Sequence, residues 1–246
     1  MTKKKLARHR IGADRQQPPP TLASIGLDQT LYQNALRHLF DRPVPVEGER
    51  EWYWDLDEPE FTATPLEWTH IQTVLFANAG TDLLPYSDDQ VGMGLNLVMS
   101  NNHDDIPLMV NDPSVSLADA MRMMQTFPCL WRDCIGPRLS KVHESIGSCC
   151  NRLEFVCYMW FDVWPTFWNA LHVPEWRNAM WFVYCEMLEM PYRQVQIAAL
   201  HGIGHEGSYL QKPRELQKRM EEFIRNVRND DELKSYAQAA ASGLVQ

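Results

Sequence analysis

The chain has no apolar run long enough to span a bilayer. Its most apolar stretch, Phe155 to Leu171, is broken by Asp162 and Pro165 and contains Asn169, where a span needs ~20 mostly apolar residues. The basic start Met1-Thr2-Lys3-Lys4-Lys5 runs into Arg8-His9-Arg10 with no apolar segment behind it, so no secretory leader is expected. The six cysteines, Cys129, Cys134, Cys149, Cys150, Cys157 and Cys185, include no Cys-x-x-Cys pair. They read as reduced thiols in a cytoplasmic protein. No G-x-S-x-G, P-loop or G-x-G-x-x-G is present, since Gly92-Met93-Gly94 lacks the third glycine. No catalytic residue or cofactor is therefore assigned, and the reading leans away from an enzyme. Strand-type alternation is also missing beyond a few residues, which predicts an all-α fold.

What is present is bulky. Apolar residues make up 45% of the 246, with nine Trp and twelve Met, enough for a large, adaptable core. Charge is divided unevenly. Residues 1–20 carry Lys3, Lys4, Lys5, Arg8, Arg10 and Arg15 against Asp14, a net of +5; the whole chain carries −9, which leaves −14 on residues 21–246. A body that acidic repels nucleic acid and favours basic partners. Residues 1–20 end in Pro18-Pro19-Pro20 and read as a disordered basic arm. Residues 21–246 read as one helical domain, with an N-terminal part 21–149 and a C-terminal part 150–246.

Helical spacing covers Leu27 to Phe40, stopped by Pro43 and Pro45. A second helix is predicted from Leu66 to Ala79, with Gly80 as its C-cap. Residues 81–107 read as irregular. Ser116 starts another helix, with Asp119 three residues on, and Pro128 is expected to end it. Cys150 to Trp164 and Asn178 to Met190 are apolar on nearly every face, as buried helices are. Pro191 to His205, then a helix begun by Pro213 and a third capped by Asp230 and closed by Gly243, complete the C-terminal part. Short connections there predict antiparallel pairs.

The segment Ala198-Ala199-Leu200-His201-Gly202-Ile203-Gly204-His205 is followed by a Pro-initiated helix and by Tyr236-Ala237-x-x-Ala240-x-x-Gly243-x-x-Gln246. It resembles the C-terminal module of HEAT-like helical bacterial proteins. The upstream Val156-Cys157-Tyr158-Met159-Trp160-Phe161-Asp162-Val163-Trp164-Pro165 is similar to the apolar helix preceding that module. The resemblance covers about residues 150–246. It implies an α-solenoid-type stack of helix pairs offering a surface to protein partners, and some such proteins neutralise toxins as immunity partners. It brings no catalytic residues.

Four groups of residues could carry function. The loop from Glu47 to Phe61 interleaves acids with aromatics: Glu47, Glu49, Glu51, Asp55, Asp57 and Glu58 around Trp52, Tyr53 and Trp54. Aromatic anchors ringed by carboxylates suit a basic protein partner such as a toxin domain; the same rings could instead tuck into the helical body. His103, Asp104 and Asp105 lie in a polar run that offers a second contact surface. His201 and His205, at i and i+4, share a helix face with zinc-ligand spacing, and a third ligand could come from His143, Glu144, His103 or Asp104. That is the alternative reading, a zinc-dependent hydrolase. Against it, the two intervening glycines cost the helix ~1 kcal/mol each and suit a helix crossing, with the histidines as polar pins. The His143-Glu144 and Cys149-Cys150 pairs read as unreactive rather than as a nucleophile and base. The expected function is a non-enzymatic protein-binding scaffold.

Overall fold

In the computed structural model the described residues are 19–46, 48–55 and 61–245, and every regular element among them is helical. The basic arm lies almost wholly outside them, as do Glu47, Asp57 and Glu58 of the acidic loop and Gln246 of the C-terminal motif. No helix of the described residues is long and apolar enough to cross a membrane.

A short α1 (Leu22–Ile25) leads into α2 (Gln29–Phe40), where the Asp28 carboxylate accepts from the Leu31 amide as N-cap. A single 3-10 turn holds Trp52–Trp54. Then α3 (Pro65–Asp82) starts on a capping box in which Thr64 and Glu67 bond each other's amides. It runs past Gly80, which is not its C-cap. A Cβ on Gly80 would meet the Asp133 carbonyl at 2.6 Å, so that glycine marks a close approach between backbones instead.

The segment read as irregular contains a helix, α4 (Asp88–Met99). Its start carries a second capping box, Ser87 with Gln90, a signature that Gly92 and Gly94 obscure because glycine disfavours helix interiors. Packing explains both glycines. A Cβ on Gly92 would sit 2.5 Å from backbone atoms of Arg152 and Leu153, and one on Gly94 would sit 2.4 Å from the Phe40 ring. Helix propensity alone would make Gly92→Ala stabilising by about 1 kcal/mol. Overlap with backbone that cannot step aside reverses the sign, and a net loss of about 1–2 kcal/mol is expected in urea unfolding. A gain in stability would show that α4 and the backbone at Arg152 and Leu153 are not packed this closely.

After a 3-10 stretch at Ile106–Asn111, α5 (Leu117–Leu130) begins at Ser116, whose hydroxyl caps Asp119 as its sequence predicts. Pro128 does not stop it. The chain continues through a π turn at Trp131–Ile135 into α6 (Gly136–Arg138). Proline removes one N–H and crowds the carbonyl four residues back, a local cost borne by the turn before Pro128; the π turn comes after it, directly ahead of Gly136 and Pro137. Burial of Phe127, Leu130, Trp131 and Ile135 favours continuing the helix over ending it.

The C-terminal helices are α7 (Arg152–Val163), α8 (Pro165–Ala170), α9 (Pro174–Glu189), α10 (Arg193–Glu206), α11 (Pro213–Asn226) and α12 (Asp231–Ala241). Pro174 opens α9, whereas Pro191 precedes α10 rather than sitting in its first turn. Pro213 opens α11, Asp230 caps α12 through the Leu233 amide, and Gly243 follows in the left-handed region at φ +69°. Helix α7 is central: it packs on α4 on one side and α10 on the other, and α10 also contacts α9 and α12. One hydrophobic core runs from Leu27 to Ala240, so the parts 21–149 and 150–246 share an interior.

Candidate functional site

The 3-10 turn at Trp52–Trp54 and the connection from α4 to Ile106 lie side by side. The His103 ring packs tilted against Tyr53 and edge-on against Trp54, with centroids 4.5 and 3.9 Å apart. The two contact candidates, separate in sequence, thus wall one open cleft of about 600 Å³, lined by Trp52, Tyr53, Asp55, His103, Asp104 and Asp105 together with His38 and Phe61. Its aromatic floor continues inward, because His38 packs on Trp52 and Phe61, and Phe61 on the buried Trp68. The Arg42 guanidinium lies 4.1 Å over the Trp52 ring, a cation–π contact within the chain. Trp54 does not line the cleft; it packs against the lining residue His103 and remains 49% exposed. So the aromatics are shared between the two readings: Trp52 and Tyr53 are half-buried against the body, and Trp54 is presented.

Charge in the cleft is set by burial. Desolvation lowers the His103 pKa, although the Glu51 charge opposes it, and the acidic side chains of Asp55, Asp104 and Asp105 line the same cleft. Burial and then Glu51 push the Tyr53 hydroxyl up to about 12, and it stays protonated, accepting from Asn96 Nδ2 at 3.2 Å. Glu49 and Glu51 do not line the cleft. Glu49 accepts from the Val46 amide, and Glu51 accepts from Arg152 Nε at 3.3 Å beside a neighbouring groove lined by Asp89, Cys149 and Cys150. Cys149 and Cys150 both reach the surface. Partial burial and then the Glu154 charge raise the Cys149 thiol, which disfavours the thiolate a nucleophile needs.

A second cluster forms where α7 crosses α10. His201 Nε2 lies 3.0 Å from one carboxylate oxygen of Asp162 and His205 Nε2 lies 3.1 Å from the other. The third partner of the histidines is therefore Asp162, not His143, Glu144, His103 or Asp104. On the far side His201 Nδ1 is 2.5 Å from the Tyr236 hydroxyl of α12, which in turn is 3.4 Å from that of Tyr158 on α7. Burial pushes the Asp162 carboxyl up, but the hydrogen bond and charge of His201 and the charge of His205 hold it below its ordinary value. His201 is 1% exposed and His205 36%.

Glycine makes the crossing close. A Cβ on Gly202 would fall 2.5 Å from the Tyr184 hydroxyl and 2.8 Å from Phe161, and one on Gly204 would meet Val245 at 2.3 Å. Glu206 turns away from the histidine pair into the protein. It is fully buried, accepts a short hydrogen bond from Tyr184 through Oε2, and leaves Oε1 with no partner. Sequence reasoning missed Asp162, Tyr236 and Tyr184. For Asp162 a signal existed, since a lone carboxylate in an otherwise apolar helix must be matched in the folded state.

No family model, curated protein or solved structure matches this chain. The functional reading therefore rests on these two sites.

Proposed function

We propose that this protein is a non-enzymatic binding scaffold that receives a basic segment of another protein in the cleft between Trp52–Asp55 and His103–Asp105. The observation that carries this is the meeting of aromatic faces and carboxylates in one open cleft. Aromatic anchors supply desolvated contact area, and the surrounding negative charge steers and orients Lys or Arg side chains. The Arg42–Trp52 stack illustrates within the chain the contact that an incoming arginine would make on the exposed Trp54. The net charge of −9 favours the same class of partner.

The helical body, with α10 packed on α7, α9 and α12, supports a HEAT-like stack of antiparallel pairs as the framework. Within that framework the specific role we favour is an immunity partner that masks a basic bacterial toxin in the cytoplasm. Titration with an Arg/Lys-rich peptide, followed by tryptophan fluorescence, tests the cleft directly. Trp54→Ala and Asp105→Lys should each weaken binding at least about tenfold, the range of an interface anchor, and raised salt should weaken it further. Equal affinity in both variants would remove the cleft from the mechanism. The immunity role predicts survival of cells expressing a toxin encoded beside this gene, and loss of that rescue in the same variants; growth arrest with the wild-type chain present would eliminate it.

A further inference from the structure

We propose that Asp162, His201 and His205 form a binding site for a divalent first-row transition ion, with Zn²⁺ as the reference cation. The proposal does not depend on the cleft. One oxygen or nitrogen ligand atom from each of the three residues lies within 4.8 Å of the others. Ligands held at ~2.1 Å in a tetrahedron stand about 3.4 Å apart, and the two Nε2-to-carboxylate separations, 3.0 and 3.1 Å, are already close to that. A small outward movement of one partner admits the ion.

Three further features fit a cation rather than a hydrogen-bonded crossing alone. Both histidines place Nε2 against the Asp162 carboxylate from successive turns of α10, His201 at one oxygen and His205 at the other. The other nitrogen of His201 is held by Tyr236, the outer contact that fixes tautomer and ring plane in histidine ligands. Gly202, between the two ligands, lets Phe161 and Tyr184 close on α10, and Phe161 adjoins Asp162 on α7, so the glycine sets the spacing between the ligand-bearing helices. Two imidazoles with one carboxylate form a borderline donor set that suits Zn²⁺, Fe²⁺, Co²⁺ or Ni²⁺ over Mg²⁺ or Ca²⁺, which prefer oxygen alone. The exposed edge of His205 provides the route in and leaves room for water to complete the coordination.

The test uses the full chain, stripped with a chelator and titrated calorimetrically with Zn²⁺, with Mg²⁺ and Ca²⁺ as controls. One equivalent of Zn²⁺ should bind at micromolar concentration or tighter, and neither control ion should. At a hundredfold excess over Kd, Zn²⁺ should raise the Tm by roughly 5 °C. His205→Ala, at a partly exposed position, should keep the chelated protein's far-UV spectrum and lose at least about tenfold in affinity together with the Tm shift. Asp162→Asn should do the same, and Tyr236→Phe should weaken binding by a smaller factor. Failure of the wild-type chain to bind one equivalent, or undiminished binding in a folded His205→Ala or Asp162→Asn protein, would overturn the proposal in favour of a purely hydrogen-bonded helix crossing.

Discussion

Phe127→Ala is expected to destabilise the protein by about 3–5 kcal/mol, the range for emptying a buried aromatic site. Phe127 is fully buried on α5. Its ring sits 5.1 Å from Phe76 of α3, 5.3 Å from Trp160 of α7, 5.1 Å from Trp164 and 5.8 Å from Trp131 of the π turn. Removing it takes the common contact from rings contributed by separate elements, and bulky rings in close packing cannot collapse into the space. In a chain of this length that loss corresponds to roughly 10 °C in Tm. Phe182→Ala serves as the control. Phe182 is 49% exposed on α9, and its removal should change stability by no more than ~0.5 kcal/mol. Similar losses in the two variants would mean that the aromatic cluster does not hold the helices together.

The second large effect is at Glu206, where two substitutions should behave in opposite ways. Burial pushes the Glu206 carboxyl well above its ordinary value; the hydrogen bond from Tyr184 opposes that, and the nearby Asp162 charge adds to it. Tyr184 is itself raised, by burial first and then by Glu206, so burial favours the protonated form of both groups. Glu206→Ala leaves the buried Tyr184 hydroxyl unpaired and opens a void, an expected cost of about 2–4 kcal/mol. Glu206→Gln keeps the shape and an acceptor for Tyr184.

The pH dependence has a definite sign. Above the ordinary carboxyl value of 4.5 the unfolded chain releases this proton while the folded chain retains it. Folding therefore loses stability as pH rises towards the folded-state pKa, by at most ~1.4 kcal/mol per pH unit for one proton. Glutamine binds no proton, so the stability of Glu206→Gln relative to wild type should improve as pH rises above ~5, until the folded-state carboxyl itself titrates. Urea unfolding across that range, with chelator present, measures it. A difference that does not change with pH would contradict a protonated, buried Glu206.

The helices of the C-terminal part, and α5 before them, were legible because their signals are local. Pro213 at a first turn, Asp230 as a cap, Gly243 after a last turn and Ser116 with Asp119 act through hydrogen bonds or φ preferences within four residues. The same local logic misled at Gly80, Gly92, Gly94 and Pro128. Each disfavours a helix by itself, yet each lies inside or beside one, because neighbours far along the chain outweigh a local penalty of ~1–3 kcal/mol. At Gly92 the neighbour is the backbone at Arg152, sixty residues away in sequence, and at Pro128 it is the aromatic core.

The candidate sites divide along the same line. Residue types were readable: rings among acids at Trp52–Asp55, a polar run at His103–Asp105, and paired histidines at His201 and His205. Spacing within one helix even placed the two histidines on one face. Which distant residue each group meets was decided only by the tertiary structure. His103 joins Trp54 because α4 forms and delivers it there, and Asp162 joins His201 and His205 because α7 lies against α10. Composition, charge balance and helical class follow from sums and periodicities along the chain, so the sequence alone determined them. Partnership across a helix crossing depends on angle, register and the room that a missing Cβ leaves, and those exist only once the helices have packed.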